Sequence, residues 1–127
     1  IKYWELYCKI NLDINNNEEV EISFKEILSL GSLSLSTLIF LTKTLTQISF
    51  NETLSREFLV KIEALPNSLL SEKKYLSYII LHNSNQINKA NISLKEAYFH
   101  NPAIYDYFKD IFPIIPQLDV LKNMKVN

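Results

Sequence analysis

The sequence predicts a mainly α-helical protein, a compact bundle of about five to seven short helices. Apolar side chains recur every three or four residues over most of the chain, which is typical of amphipathic helices. Helix-capping residues and prolines separate these stretches, and a single glycine leaves asparagine and proline to form the corners. With 127 residues, 47% of them hydrophobic, the chain is long enough to bury one core. We therefore expect a single domain over residues 1–127.

Residues 1–25 fit two structures equally well. Apolar and polar residues alternate on both sides of Asn15–Asn17, which is typical of a β-hairpin with asparagines in the turn. One helical stripe also accounts for the apolar residues Tyr3, Leu6, Tyr7, Ile10 and Ile14. The pattern leaves an N-terminal hairpin and an N-terminal helix both open, and an α+β fold is the alternative to an all-helical one.

Residues 26–127 carry helix signals throughout, beginning with two helices on either side of Gly31. Ser23–Glu26 matches a capping box at the start of the first, and the second has helical spacing at Leu38, Leu41 and Leu45. Asn51 is a suitable N-cap for the next helix, predicted over Glu52–Leu65 and ended by Pro66.

The second half of the chain predicts three further helices. One runs from Ser71 to about Leu81, followed by an asparagine-rich connector, His82–Asn91. A capping box at Ser93–Glu96 begins a short helix that ends by Asn101, and Asn101-Pro102 begins another that ends near Phe112. Pro113 and Pro116 interrupt the chain before a last amphipathic segment with Leu118, Leu121 and Met124.

The tripeptide Ile-Ser-Phe/Leu occurs three times, at Ile22, Ile48 and Ile92. Because the intervals are unequal, we interpret it as a reused capping device and not as a structural repeat.

Composition and motifs argue against catalysis. One glycine and one cysteine exclude P-loop, dinucleotide-binding and disulfide-scaffold proteins. The one candidate acid–base or metal site is His100 with Asp106 and Asp110, but Lys109 adjoins these acids and His82 is far away in sequence. We expect no enzyme, no cofactor and no metal.

The longest uncharged run, residues 27–42, is too short for a membrane span, and the single Cys8 fits an intracellular protein.

Aromatic residues are concentrated near the C-terminus, with six of the 15 between Tyr98 and Phe112. Tyr98, Phe99 and Phe108 can close a core, whereas Tyr107 lies off the apolar stripe of its helix. Exposed tyrosines beside apolar residues are typical protein-interface anchors. The sequence therefore predicts a non-enzymatic regulatory or protein-interaction module, part of a larger protein or assembly, whose unidentified partner is another protein. The predicted contact residues are Tyr98, Tyr105, Tyr107 and Phe108. Ile27–Phe50 is a second interface candidate, although a central place in the fold explains it better.

Two stretches of the sequence suggest an alternative to a protein-interaction module. Ser23–Ile27, Ser36–Leu38 and Ser49–Leu54 resemble the first helix-turn-helix of AraC-type regulator domains. Phe99–Pro102, Phe108-Lys109, Phe112, Ile114 and Pro116 resemble the end of the second. The resemblance implies a DNA-binding transcription regulator, with the recognition helix at Leu35–Thr42. That stretch carries no charge, and the domain has one arginine and a net charge of −1, so phosphate neutralisation is weak. Nucleic acid is therefore the less favoured partner.

Overall fold

The structure is a computed structural model that describes residues 2–48 and 52–112, and all regular secondary structure in these ranges is helical. The chain divides into two compact units, residues 1–64 (the N-terminal unit) and residues 65–127 (the C-terminal unit). The mainly-α fold is thus confirmed, with seven α-helices over the described ranges. A single domain remains a prediction.

The N-terminal unit contains four helices, α1 (Lys2–Asp13), α2 (Asn17–Leu28), α3 (Leu35–Gln47) and α4 (Glu52–Glu63). A three-residue turn joins α1 to α2, which pack against each other. The hydroxyl of Tyr7 on α1 donates a 2.7 Å hydrogen bond to Glu19 on α2, and this bond raises the pKa of Tyr7.

The N-terminal β-hairpin prediction is wrong. In a strand, Val20, Ile22 and Phe24 would share one face, since side chains alternate with a period of two. The structure buries Val20 and Phe24 and leaves Ile22 46% exposed, as a period of 3.6 residues requires. The capping box predicted at Ser23 is wrong as well, because Ser23 lies inside α2 and its hydroxyl donates to the carbonyl of Glu19 at 2.8 Å.

Aromatic packing and local caps position the remaining helices of this unit. Phe24 on α2 meets Phe58 on α4 edge to face, with ring centroids 5.2 Å apart. Gly31 has φ +88°, a left-handed conformation that favours glycine, and its carbonyl accepts a 2.8 Å bond from Lys61 Nζ. Ser34 caps α3, since its Oγ accepts from the backbone N–H of Thr37.

The C-terminal unit begins with a short 3₁₀ turn, Asn67–Leu69, followed by α5 (Leu70–Asn83), α6 (Ile87–His100) and α7 (Ile104–Phe108). The Ser71 hydroxyl on α5 donates to the carbonyl of Ala97 on α6 at 2.7 Å. Only residues 84–86 lie between α5 and α6, so the predicted His82–Asn91 connector was too long. The capping box predicted at Ser93–Glu96 is also wrong, because these residues lie in the middle of α6.

The hairpins α1–α2 and α5–α6 have the same local structure 70 residues apart. Each turn places an asparagine in the left-handed region, Asn15 with φ 60° and Asn85 with φ 61°. The next residue donates to the carbonyl five residues earlier in both turns, Asn16 to Asn11 at 2.8 Å and Gln86 to Leu81 at 2.9 Å. Seven residues are identical after the shift of 70, namely Leu6, Ile10, Asn15, Ile22, Ser23, Lys25 and Glu26.

The helices α2, α4 and α6 begin at residues 17, 52 and 87, at a constant spacing of 35. Leu54 and Phe58, buried in α4, follow the buried Val20 and Phe24 of α2 by 34 residues. The interpretation of the Ile-Ser-Phe/Leu tripeptide as a capping device is wrong for Ile22 and Ile92, which occupy equivalent exposed positions inside α2 and α6. Ile48, by contrast, lies outside α3 and α4, directly after the last residue of α3.

Candidate protein-interaction surface

One of the predicted contact residues, Phe108, is buried in the core of the C-terminal unit. Phe108 is fully buried and stacks on Tyr75 of α5, with ring centroids 5.0 Å apart and an interplanar angle of 15°. Phe112 is buried beside it. Burial raises the pKa of Tyr75 well above its ordinary value, so its hydroxyl stays neutral in the core. Phe108 is thus out of reach of a partner, and its role is packing.

The other three predicted contact residues lie at the surface to different extents. Tyr98 near the end of α6 and Tyr105 on α7 are half-buried. Tyr107 is 55% exposed and its ring stands edge-on against Phe108, with centroids 4.7 Å apart. The buried Phe108 ring therefore contacts Tyr107 on one side, and about half of the tyrosine remains accessible to solvent.

Phe99 is the most exposed of the large hydrophobic residues over the described ranges, at 79%. Phe99 was expected to be able to close the core, but the helical spacing of α6 indicates an exposed position. Ala90, Leu94 and Ala97 form the buried face of α6, and Phe99 follows the 57% exposed Ile92 by two turns. We refer to the exposed side chains Ile92, Phe99 and Tyr107, with the half-buried Tyr98 and Tyr105, as the α6–α7 surface.

A polar cleft of about 380 Å³ adjoins the end of α6. Its lining includes Asn67, Ser71, Glu72, His100 and Asn101. The His100 ring also contacts Phe99 edge to face, with ring centroids 5.5 Å apart. The cleft offers a carboxylate and amide groups for hydrogen bonding beside an apolar ring.

The residues of the candidate acid–base site do not form a cluster. His100, Asp106 and Asp110 are exposed, and Asp106 pairs with Lys109 at 3.8 Å. His82 is half-buried against Tyr78, with ring centroids 5.8 Å apart. Over residues 2–48 and 52–112, no three His, Cys, Asp or Glu side chains converge in a way that could hold a metal ion.

The second interface candidate, Ile27–Phe50, is internal mainly along α3, whereas residues 29–32 are exposed and Ser49 and Phe50 lie outside the described residues. The helix α3 buries six side chains, those of Thr37, Leu38, Leu41, Thr42, Thr44 and Leu45. Ile39 and Phe40 are half-buried beside them. Among the residues that resemble a helix-turn-helix, Thr37 and Leu38 are buried. Others, namely Ser49–Asn51, Ile114 and Pro116, lie outside the described residues. The predicted last amphipathic segment, with Leu118, Leu121 and Met124, lies outside them too.

A scan against protein-family models finds no matching family, and searches of curated proteins and of solved structures give no match. Among the described helices, none has the length and apolar character needed to cross a membrane.

Proposed function

We propose that this chain is a non-enzymatic module that binds another protein through the α6–α7 surface. The observation that carries the proposal is the exposure of Phe99 and Tyr107, at 79% and 55%, on helices whose opposite faces are packed. Aromatic side chains are the commonest energetic anchors of protein interfaces, because they bury a large area at low conformational cost.

The repeated hairpins support this proposal. Helical-repeat proteins stack two-helix units and use the surfaces of the array to bind partners. The tetratricopeptide type has 34 residues per unit and a pattern of Ala, three residues, Phe, and a later proline. Three pairs of this chain each keep one of the two residues: Val20-x3-Phe24 and Leu54-x3-Phe58 keep the phenylalanine, and Ala90-x3-Leu94 keeps the alanine. A proline follows the last two patterns eight residues after Phe58 and Leu94.

The chemistry of the surface indicates the kind of segment that it would bind. Phe99 and Tyr107 offer apolar faces, and the polar cleft beside His100 offers Glu72 and the amides of Asn67 and Asn101. A partner segment with an apolar side chain next to hydrogen-bonding groups would satisfy both. The net charge of −1 gives no electrostatic preference for a strongly charged partner.

Site-specific photocrosslinking tests this function. A photoreactive phenylalanine analogue would replace Phe99 or Tyr107 in cells that naturally express the protein. A third version would carry the analogue at Val60, which is 68% exposed on α4, as the matched control. We expect the same protein to be crosslinked from positions 99 and 107 and not from position 60.

Titration of the purified partner then measures the contribution of each side chain. Phe99→Ala and Tyr107→Ala should each weaken binding by about 5- to 30-fold, the effect of losing an interface anchor. Val60→Ala should leave the affinity unchanged. Wild-type affinity in both Phe99→Ala and Tyr107→Ala, with circular dichroism showing folded protein, would contradict the proposal.

A further inference from the structure

The first helix carries a second exposed apolar surface, independent of the α6–α7 surface. Tyr3, Leu6, Ile10 and Ile14 are 68%, 59%, 52% and 65% exposed, respectively. They recur every three or four residues along α1 and the turn after it, so they form one continuous stripe. Contiguous apolar surface of this kind marks an interaction site in soluble proteins.

The stripe is separate from the face that α1 packs inside its own unit. Cys8 and Asn11 are the buried residues of α1, and the Tyr7 hydroxyl bonds to Glu19 on α2. Tyr3 and Tyr7 also contact Trp4, with ring centroids 5.2 and 5.8 Å away. The inner face of α1 is thus fixed, and these rings support one end of the stripe.

We propose that the stripe binds the same stripe of a second copy of this chain, with the two α1 helices antiparallel about a two-fold axis. The axis would pass near residue 8. Tyr3 would then face Ile14 of the second copy, and Leu6 would face Ile10. A two-fold interface forms each contact twice, so the Tyr3–Ile14 and Leu6–Ile10 contacts, each formed twice, cover all four apolar residues of both stripes.

The charges beside the stripe fit this arrangement. Lys2 and Asp13 are exposed and lie on the same edge of the stripe, next to Leu6. In the antiparallel pair, Lys2 of one copy would lie near Asp13 of the other, twice over. The helix dipoles would also be antiparallel, which places each positive end near a negative end.

The size of the contact predicts a weak dimer. A helix of 12 residues is about 18 Å long. One helix pair buries less than the roughly 1,200 Å² of a standard stable interface. We therefore expect a micromolar dissociation constant, with monomer and dimer in rapid exchange.

Sedimentation velocity of the whole 127-residue chain, from about 5 to about 500 µM, spans that affinity range. Wild type should shift from monomer to dimer across this range. Leu6→Glu and Ile10→Lys should stay monomeric at the highest concentration with unchanged circular dichroism. Val60→Lys, which places the same charge on an exposed apolar position of α4, should dimerise as wild type does.

A charge exchange tests the antiparallel arrangement itself. Lys2→Asp and Asp13→Lys should each raise the dissociation constant several-fold, and the double variant should restore it. Dimers that persist in Leu6→Glu, or single and double charge variants of equal affinity, would contradict the proposal. A wild-type chain that is monomeric at about 500 µM would also overturn it. The stripe would then be covered by a different protein or by another part of a longer chain.

Discussion

Replacing Phe108 by alanine should destabilise the C-terminal unit, whereas Tyr107→Ala should not. Phe108 is fully buried and contacts three rings, those of Tyr75, Tyr107 and Phe112, with centroids 5.0, 4.7 and 5.5 Å away. Truncating a buried phenylalanine to alanine costs about 3–5 kcal/mol, because its transfer energy is lost and a cavity remains. The contacts with neighbouring rings place Phe108 toward the upper end of that range.

Tyr107 is the matched control, since it precedes Phe108 in the chain and its ring contacts the Phe108 ring. It is 55% exposed, so its removal uncovers little new apolar surface. We expect Tyr107→Ala to cost below about 1 kcal/mol, as is usual for surface positions. Phe108→Leu keeps most of the buried volume and should cost about 1–2 kcal/mol.

Urea unfolding followed by circular dichroism at 222 nm measures these differences. Phe108→Ala should lower the unfolding midpoint clearly, Phe108→Leu less, and Tyr107→Ala hardly at all. Equal midpoints for Phe108→Ala and Tyr107→Ala would refute the assignment of Phe108 to the core. The outcome also decides how partner binding by these variants is interpreted, because a loss of binding in Phe108→Ala would follow from unfolding.

Three further predictions concern the turn, the buried lysine and the thiol. Asn85→Ala should lower the free energy of unfolding by about 1 kcal/mol, because φ is 61° at this position and alanine tolerates a positive φ poorly. Asn88→Ala, inside α6, is the control and should leave the free energy of unfolding unchanged or raise it in the same urea experiment. Lys73→Met should lower the free energy of unfolding by about 1–3 kcal/mol, because the buried Nζ donates a hydrogen bond to the carbonyl of Leu65 at 3.1 Å. An unchanged urea midpoint would contradict this structural role of Lys73. Burial raises the pKa of Cys8 to about 11 from an unfolded value near 9.0, so the folded state holds its proton more tightly. Stability should fall as the pH rises from about 9 to about 11. The fall in urea midpoint across that range should be smaller in Cys8→Ala, in which only groups such as Tyr7 and Tyr75, whose pKa values are also raised, still contribute.

Much of the fold was determined by the sequence alone. Recurring apolar residues indicated helices from residue 26 onward, because one buried helix face requires that spacing. Pro66 was correctly placed after a helix, since proline lacks the N–H that would continue it. The left-handed asparagine expected in the turn of a hairpin is present at Asn15, but that turn joins two helices and not two strands.

Only the tertiary structure decided between features with the same local pattern. Residues 1–25 fit a strand period and a helix period alike, and packing of α1 against α2 selected the helix by burying Val20 and Phe24 while leaving Ile22 exposed. Ser23 and Ser93 fit a helix start in sequence yet lie inside helices, since a capping box specifies only four residues.

The same limit applied to the candidate site. Phe99 and Phe108 have the same side chain in the same aromatic segment, and the sequence allowed both to close a core while also giving Phe108 as a contact residue. Contact with Tyr75 buried Phe108, and the opposite face of α6 was already occupied by Ala90, Leu94 and Ala97, which left Phe99 in solvent. Burial depends on which neighbours the folded chain supplies, and a one-dimensional pattern records only how often an apolar residue recurs.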